Sequence, residues 1–461
     1  MSLRSKLQRL DGSRLAPPHD SRPGEPVPAA VEGPPTLDDL RRRIDAVLTR
    51  TTAPRPERSR PALDASELPF AAEDTPLGVL HVRTVRLSAA HRTGRARVLP
   101  ARDASSALLS LLALDPTLAA CPARGALYLD TETTGLHGGT GTVAFLVGLA
   151  FWSNADEPGT YGGGDLIVEQ LLVKNLGEEA PMLARVAERL SAASMVVTFN
   201  GKSFDLPLLR TRFTMARLAW PTEPPHLDLV HVARRLHKVR GIECRLTTLE
   251  REVLGFERVG DVAGSEVSAC YLHYLRSGDT SAMMGVVEHN AWDVVAMAAL
   301  VGLYGEPLEG SLLSPEDLVG VARTLARAGD SERAVEIASR VVAGAAAALR
   351  EGTETHSHAL RARAEISKAR GDRARAMADF ESLASAVDDP SVRLELAKLY
   401  EHYVKEPAKA LAVAGRGTGE SAEGASKRHR RLTAKVERAA AETAATQASL
   451  FGPRVTARRR R

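Results

Sequence analysis

The chain has 461 residues, too many for one ordinary domain, so two or three are expected. Hydrophobic residues make up 44% and aromatics only 4%, so a sizeable core must be built mainly from Ala, Leu and Val. The net charge of +4 and the pI near 9.0 are mildly basic, which by itself says little about a polyanionic partner.

Three cysteines, Cys121, Cys244 and Cys270, lie far apart without metal-ligand spacing. That excludes a disulfide framework or zinc site as the organising element and fits a reducing cytoplasm. No apolar run approaches the roughly 20 residues of a membrane span, and "MSLRSKLQRLDGSRLAPPHD" has no apolar signal core. A cytoplasmic protein without membrane contact is expected.

Residues 1–66 are rich in Pro, Arg and Ser and cannot bury enough surface to offset ordering, so a disordered arm is expected, with one amphipathic helix over 36–50. "LGVLHVRTVRL" then alternates apolar and polar residues like a half-buried strand, and "DASSALLSLLAL" predicts a helix capped by Asp103 or Ser105. From 124 the pattern gives three strands ("GALYLDTE", "TVAFLVGLAFW", "DLIVEQLLV"), a helix ("EEAPMLARVAERLSAA") and a fourth strand ("MVVTFN"). Helical patterns follow to "MMGVVEHNAWDVVAMAALVGLYG". That order predicts an α/β domain over 67–303, core 124–303, with a ribonuclease-H-like mixed sheet flanked by helices. Residues 312–420 predict an all-α domain. "LARAGDSERAVEIASRVV" recurs loosely as "SKARGDRARAMADFESLA" and "YVKEPAKALAVAGR", as in tetratricopeptide-like helical hairpins, which stack into surfaces for protein partners. A helix and a basic, disordered tail are expected over 421–461.

Four acidic positions stand out. Asp130 and Glu132 are two apart on a strand and share a face. Asp205 follows the fourth strand where a helix begins, and Asp293 lies on a late helix, one turn after His289. Singly, each has an ordinary reading as a turn former, helix cap or solvated side chain. Together they form the oxygen-rich set that hard divalent cations require, and two such ions about 4 Å apart clamp the oxygens of a phosphoryl transfer.

"LDTETTGL", "FNGKSFDLPLL" and "HNAWDVV" resemble the three motifs of the DEDD superfamily of ribonuclease-H-like 3′–5′ exonucleases. "LDTETTGLHGGTGTVAFLVGLA", "TFNGKSFDLPLLRTRF", "HLDLVHVARRL" and "HNAWDVV" are, in order, similar to its bacterial YprB-type branch, a likeness covering roughly 75–303. The resemblance implies a two-metal-ion exonuclease using Mg²⁺ or Mn²⁺ on 3′ ends of DNA or RNA. Asp130 would bridge both ions, Glu132 bind one, Asp205 hold the second and Asp293 complete the site. His289 would orient or deprotonate the attacking water. Its spacing departs from the pattern: four residues before the last aspartate is the tyrosine-type slot, and a structural or phosphate-contacting histidine stays open. Thr133, Gly135 and Leu136 would approach the terminal nucleotide. Asn200 would bond near the scissile nucleotide, Phe204 would stack on a base or pack in the core, and Lys202 would meet a phosphate or water. Asp228 in "HLDLV" starts a helix or belongs to the site.

"QASLF" resembles the sliding-clamp-binding peptide, with Leu450 and Phe451 filling a pocket and Gln447 bonding beside it. Five arginines in the last eight residues would contact phosphates or merely solubilise the tail. Two rival functions share these features: a non-catalytic nucleic-acid-binding adaptor recruiting partners through its repeats, and a structure-specific endonuclease with the same carboxylates.

Overall fold

In the chain's computed structural model, residues 68–135, 140–153, 164–305, 311–347 and 353–451 are described. The N-terminal arm with its expected helix over 36–50, Leu136, most of the "GTYGGG" turn and the arginine tail lie outside those residues.

β1 (Ala71–Thr75) and β2 (Gly78–Leu87) form a hairpin, and β3 (Arg92–Thr93) pairs with β4 (Ala96–Arg97) in a small separate ladder. α1 (Ser106–Ala113) is capped by Ser105, whose hydroxyl accepts the Leu108 N–H; the alternative Asp103 is not used. β5 (Ala126–Thr133), β6 (Ala144–Trp152) and β7 (Leu166–Leu172) follow as an antiparallel meander. α2 (Ala180–Ala192) leads to β8 (Met195–Thr198), α3 (Asp205–Met215) to β9 (His226–Asp228), and α4 (Leu229–Leu236) leaves it. The sheet order is β1-β2-β7-β6-β5-β8-β9, with β8 and β9 joining parallel to β5. β6 and the first half of β5 are continuous apolar runs because both faces are covered. Leu127, Leu129 and Val147 face α2 and α3, while Tyr128, Ala150 and Val168 face the opposite layer.

That layer is built on α7 (Ser281–Gly305), which follows the short α5 (Leu246–Leu249) and α6 (Val267–Ser277). α7 corrects one expectation. By length and composition it is apolar enough to cross a membrane, although its least polar window is 72% buried inside the protein. A helix apolar on all sides is what a position between a sheet and other helices demands.

α8 (Pro315–Arg327), α9 (Ser331–Ala347), α10 (Glu354–Ala369), α11 (Arg373–Ala386), α12 (Pro390–Leu399), α13 (Pro407–Gly415) and α14 (Ala422–Phe451) complete the chain. The repeated Gly-Asp pairs have a local cause. Gly329 and Gly371 adopt positive φ after one helix, and Asp330 and Asp372 then accept the N–H of Arg333 and Arg375 in the next. In the third unit Lys405 takes the positive-φ position instead. Gln447–Phe451, expected in an unstructured tail, is the last turn of α14.

The apolar core runs without a break from the sheet into this helical part: Val321, Leu325, Ile337 and Ile366 share a cluster with Tyr128 and Val197. At the junction the fully buried His237 ring bonds Asp317 through Nδ1 and the Tyr304 hydroxyl through Nε2, both at 2.8 Å. Beside it, a Cβ on Gly320 would meet the Leu236 carbonyl oxygen at 2.0 Å. Gly320→Ala should therefore cost about 1–3 kcal/mol and lower the melting temperature. An unchanged melting temperature would mean that α4 and α8 are not held in this contact.

Candidate metal centre

β5 ends in a bulge at Glu132/Thr133, and the alternation along the strand puts Asp130 and Glu132 on the face that carries α7. Thr131, between them, points to the α3 side, where its hydroxyl donates to Asp205 Oδ1 at 2.6 Å. The strand end is thus joined to the start of α3, where Asp205 is buried.

α7 contributes three residues, the adjacent His289 and Asn290 and, one turn on, Asp293. Asn290, fully buried, donates through Nδ2 to Asp130 Oδ2 at 2.9 Å. Its Oδ1 accepts from Gln170 Nε2 at 3.0 Å, and Gln170 in turn accepts from Arg83. This polar relay joins β5, α7, β7 and β2, and it needs Gly148: a Cβ there would lie 2.2 Å from Asn290 Oδ1. His289 Nε2 lies 3.5 Å from Asp293 Oδ2 and 4.0 Å from Glu132 Oε1. Glu132, His289 and Asp293 each offer one ligand atom, all within 4.8 Å of one another.

Burial and mutual repulsion shift these groups. The Asp130 carboxyl is pushed well above the usual carboxylate range by burial first, then by the charges of Asp293, Glu132 and Asp205. Burial pushes Glu132 up to about 7 and Asp205 up to about 6, the latter against the Thr131 hydroxyl bond. Burial alone would lower His289, but Asp293, Asp261 and Glu132 outweigh it and raise it to about 9. Four carboxylates with one facing imidazole suit a hard divalent ion. Glu132 Oε1 adds a sharper sign: it is buried and has no hydrogen-bond partner among the described residues.

The structure also brings in residues that the motif reading missed. Arg258, its side chain 5% exposed, ion-pairs with Asp293 and reaches Glu250 at 2.6 and 2.8 Å. Asp261 Oδ1 lies 2.7 Å from His289 Nδ1, so the Nδ1–H donates to it and Nε2 is left facing the carboxylates. Arg258 and Asp261 sit in "GFERVGD", 35 and 28 residues from their partners on α7, and no local spacing signals them. Asp228, already a candidate from the sequence, does more than either reading gave it. It starts α4, as one of its two readings held, and its buried carboxylate also accepts the backbone N–H of Asn200 at 2.7 Å and of Lys202 at 3.1 Å. It thereby anchors the loop that delivers Asp205, in which Asn200 adopts φ +71°.

The remaining candidates are placed as follows. Thr133 spends its hydroxyl on the Gly135 carbonyl at 2.9 Å, closing the turn after β5. The Lys202 side chain is exposed, and Phe204 is 57% exposed rather than packed in the core.

Residues 127–304 match the family model of the RNase_H superfamily, so the sheet and its flanking helices form a ribonuclease-H-like domain, a nuclease-type fold. The chain is also similar to a protein of Bacillus subtilis (strain 168) named Uncharacterized protein YprB. The two are 28% identical over 303 residues, covering 64% of this chain and 69% of that protein.

Two outcomes test the centre. Raised carboxyl pKa values mean that the folded protein prefers protonated Glu132 and Asp205. Their contribution to stability is present below the ordinary range near 4 and is lost as pH rises through about 6–7. The gain in melting temperature on adding Mn²⁺ should therefore be larger at about pH 8 than at about pH 5, because ligands must deprotonate. Equal gains would contradict the assignment. Arg258→Met leaves Glu250 and Asp293 without their buried cation and should cost about 3–5 kcal/mol in chelator, read as a lower melting temperature. No change would show that Arg258 does not hold the site together.

Proposed function

We propose that the protein is a metal-dependent 3′–5′ exonuclease that hydrolyses terminal phosphodiester bonds of DNA or RNA. The observation that carries the reading is the gathering of Asp130, Glu132, Asp205 and Asp293 around the end of the central strand, with one buried Glu132 oxygen that has no hydrogen-bond partner among the described residues. Asp130, Glu132 and Asp293 would hold one Mg²⁺ or Mn²⁺, and Asp130 with Asp205 a second. When bound, such ions supply Lewis-acid stabilisation of charge on the phosphoryl oxygens and lower the pKa of water.

The other roles belong to the chain. Asn290 and Thr131 fix the orientations of Asp130 and Asp205 by hydrogen bonds. Arg258 takes one oxygen of Asp293 and leaves the other, Oδ2, facing His289. His289, oriented by Asp261, presents Nε2 to the cluster, where it accepts or holds a proton of the attacking water. The exposed ring of Phe204, beside Asp205, is available to stack on the terminal base.

Purified protein should shorten 3′-protected and 3′-free oligonucleotides differently, degrading only the latter stepwise in Mg²⁺ or Mn²⁺. Asp130→Ala with Glu132→Ala should lower the rate by at least about 10³-fold, the scale of losing a preorganised charge-stabilising element. Internal cleavage of an end-blocked strand would instead make it an endonuclease. Binding without any cleavage across DNA and RNA would make it an adaptor.

A further inference from the structure

Beside the loop that delivers Asp205 lies an open cleft of about 760 Å³. Its wall begins at Phe199 and Asn200, the residues that open the middle motif, and continues along α4 and the segment 241–246. The cleft has two chemical parts. Phe199, Val230, Ile242 and Leu246 supply an apolar lining. Arg234, Lys238 and Arg245 supply three cations against the single carboxylate of Glu243.

The cations are placed for a ligand rather than for the fold. Arg234, in the last turn of α4, and Lys238, two residues past its end, are both exposed, and neither has an ion-pair partner among the described residues. Arg245 pairs with Glu243 at 2.8 Å, but the two side chains are 73% and 61% exposed, so the pair is weak and yields easily to a phosphate. By contrast Arg235 and Arg240, on the same stretch, are committed to the Leu112 carbonyl and to Asp317.

We infer that this cleft is the track for a single strand of nucleic acid, with unstacked bases against its apolar lining and phosphates on Arg234 and Lys238. The inference rests on the nuclease reading for its direction. Asn200 belongs both to the cleft wall and to the loop held by Asp228, so a strand whose end lies at Asp205 continues over Asn200 into the cleft. An apolar lining suits bases that are not paired, and a rim of cations suits a backbone read without sequence preference.

The test measures binding apart from cleavage. Full-length protein carrying Asp130→Asn and Glu132→Gln is titrated, in chelator, into labelled oligothymidylate and oligouridylate of about 12 nucleotides, within the site sizes common for single strands. Adding Arg234→Gln and Lys238→Gln should weaken binding at least tenfold and reduce the slope of log K against log salt by about 1.4, roughly 0.7 per lost phosphate contact. Both side chains are exposed, so the melting temperature should hold, and Arg234→Glu with Lys238→Glu should weaken binding further. The ratio of the two affinities reports whether the cleft takes DNA or RNA. Unchanged affinity and slope would overturn the cleft while leaving the nuclease reading intact, as would cleavage of a dinucleotide by an enzyme that binds no longer strand. Salt-sensitive binding lost with Arg234 and Lys238, in a protein that cleaves nothing, would keep the cleft and overturn the nuclease.

Discussion

Four carboxylates held around one end of a buried strand repel one another, and the architecture near them is a set of answers to that repulsion. Desolvation and like charge both favour the protonated forms, which is why Asp130, Glu132 and Asp205 sit above their ordinary range. The chain offsets part of the cost with directed groups: Asn290 on Asp130, Thr131 on Asp205, Arg258 on Asp293. It leaves Glu132 Oε1 without a hydrogen-bond partner among the described residues, with His289 Nε2 4.0 Å away. An arrangement that stabilises three carboxylates and leaves the fourth open is unfavourable as a resting fold and sensible as a cation receptor.

Each answer recruits a distant element. Asn290 holds Asp130 because Gln170, itself held by Arg83, donates to its Oδ1 and Gly148 leaves it room. Arg258 serves Asp293 only because Glu250 fixes the guanidinium from the other side. Asp261 serves the site through His289. The order of the sheet follows the same need: β5 sits between an antiparallel and a parallel neighbour, and its end meets the starts of α3 and the middle of α7.

Much of this was legible in the sequence, where the cause is local. The apolar runs announced the central strands, and the period-two spacing put Asp130 and Glu132 on one side. The one-turn spacing put His289 and Asp293 on one helix face, and the Gly-Asp pairs marked the turns between helices. Arg258, Asp261 and Gly148 were not legible, because each acts across the fold through a partner that no spacing predicts, and of Asp228 only the helix start was, not its hold on Asn200 and Lys202. The apolar length of α7 was not legible either, since Glu288, His289 and Asp293 interrupt its run while its mean composition stays that of a core helix. The continuity of the core past residue 305 was hidden for the same reason: His237 and Asp317 meet only in three dimensions.

The most direct measurement is a titration of chelator-stripped protein with Mn²⁺, followed by the electron paramagnetic resonance signal of the free ion. Mn²⁺ should be taken up by the native chain and lost by Asp130→Asn with Glu132→Gln at unchanged secondary structure. Such a difference would show that the strand-end carboxylates are completed by a cation from solution. Equal uptake by both proteins, or none by either, would contradict it.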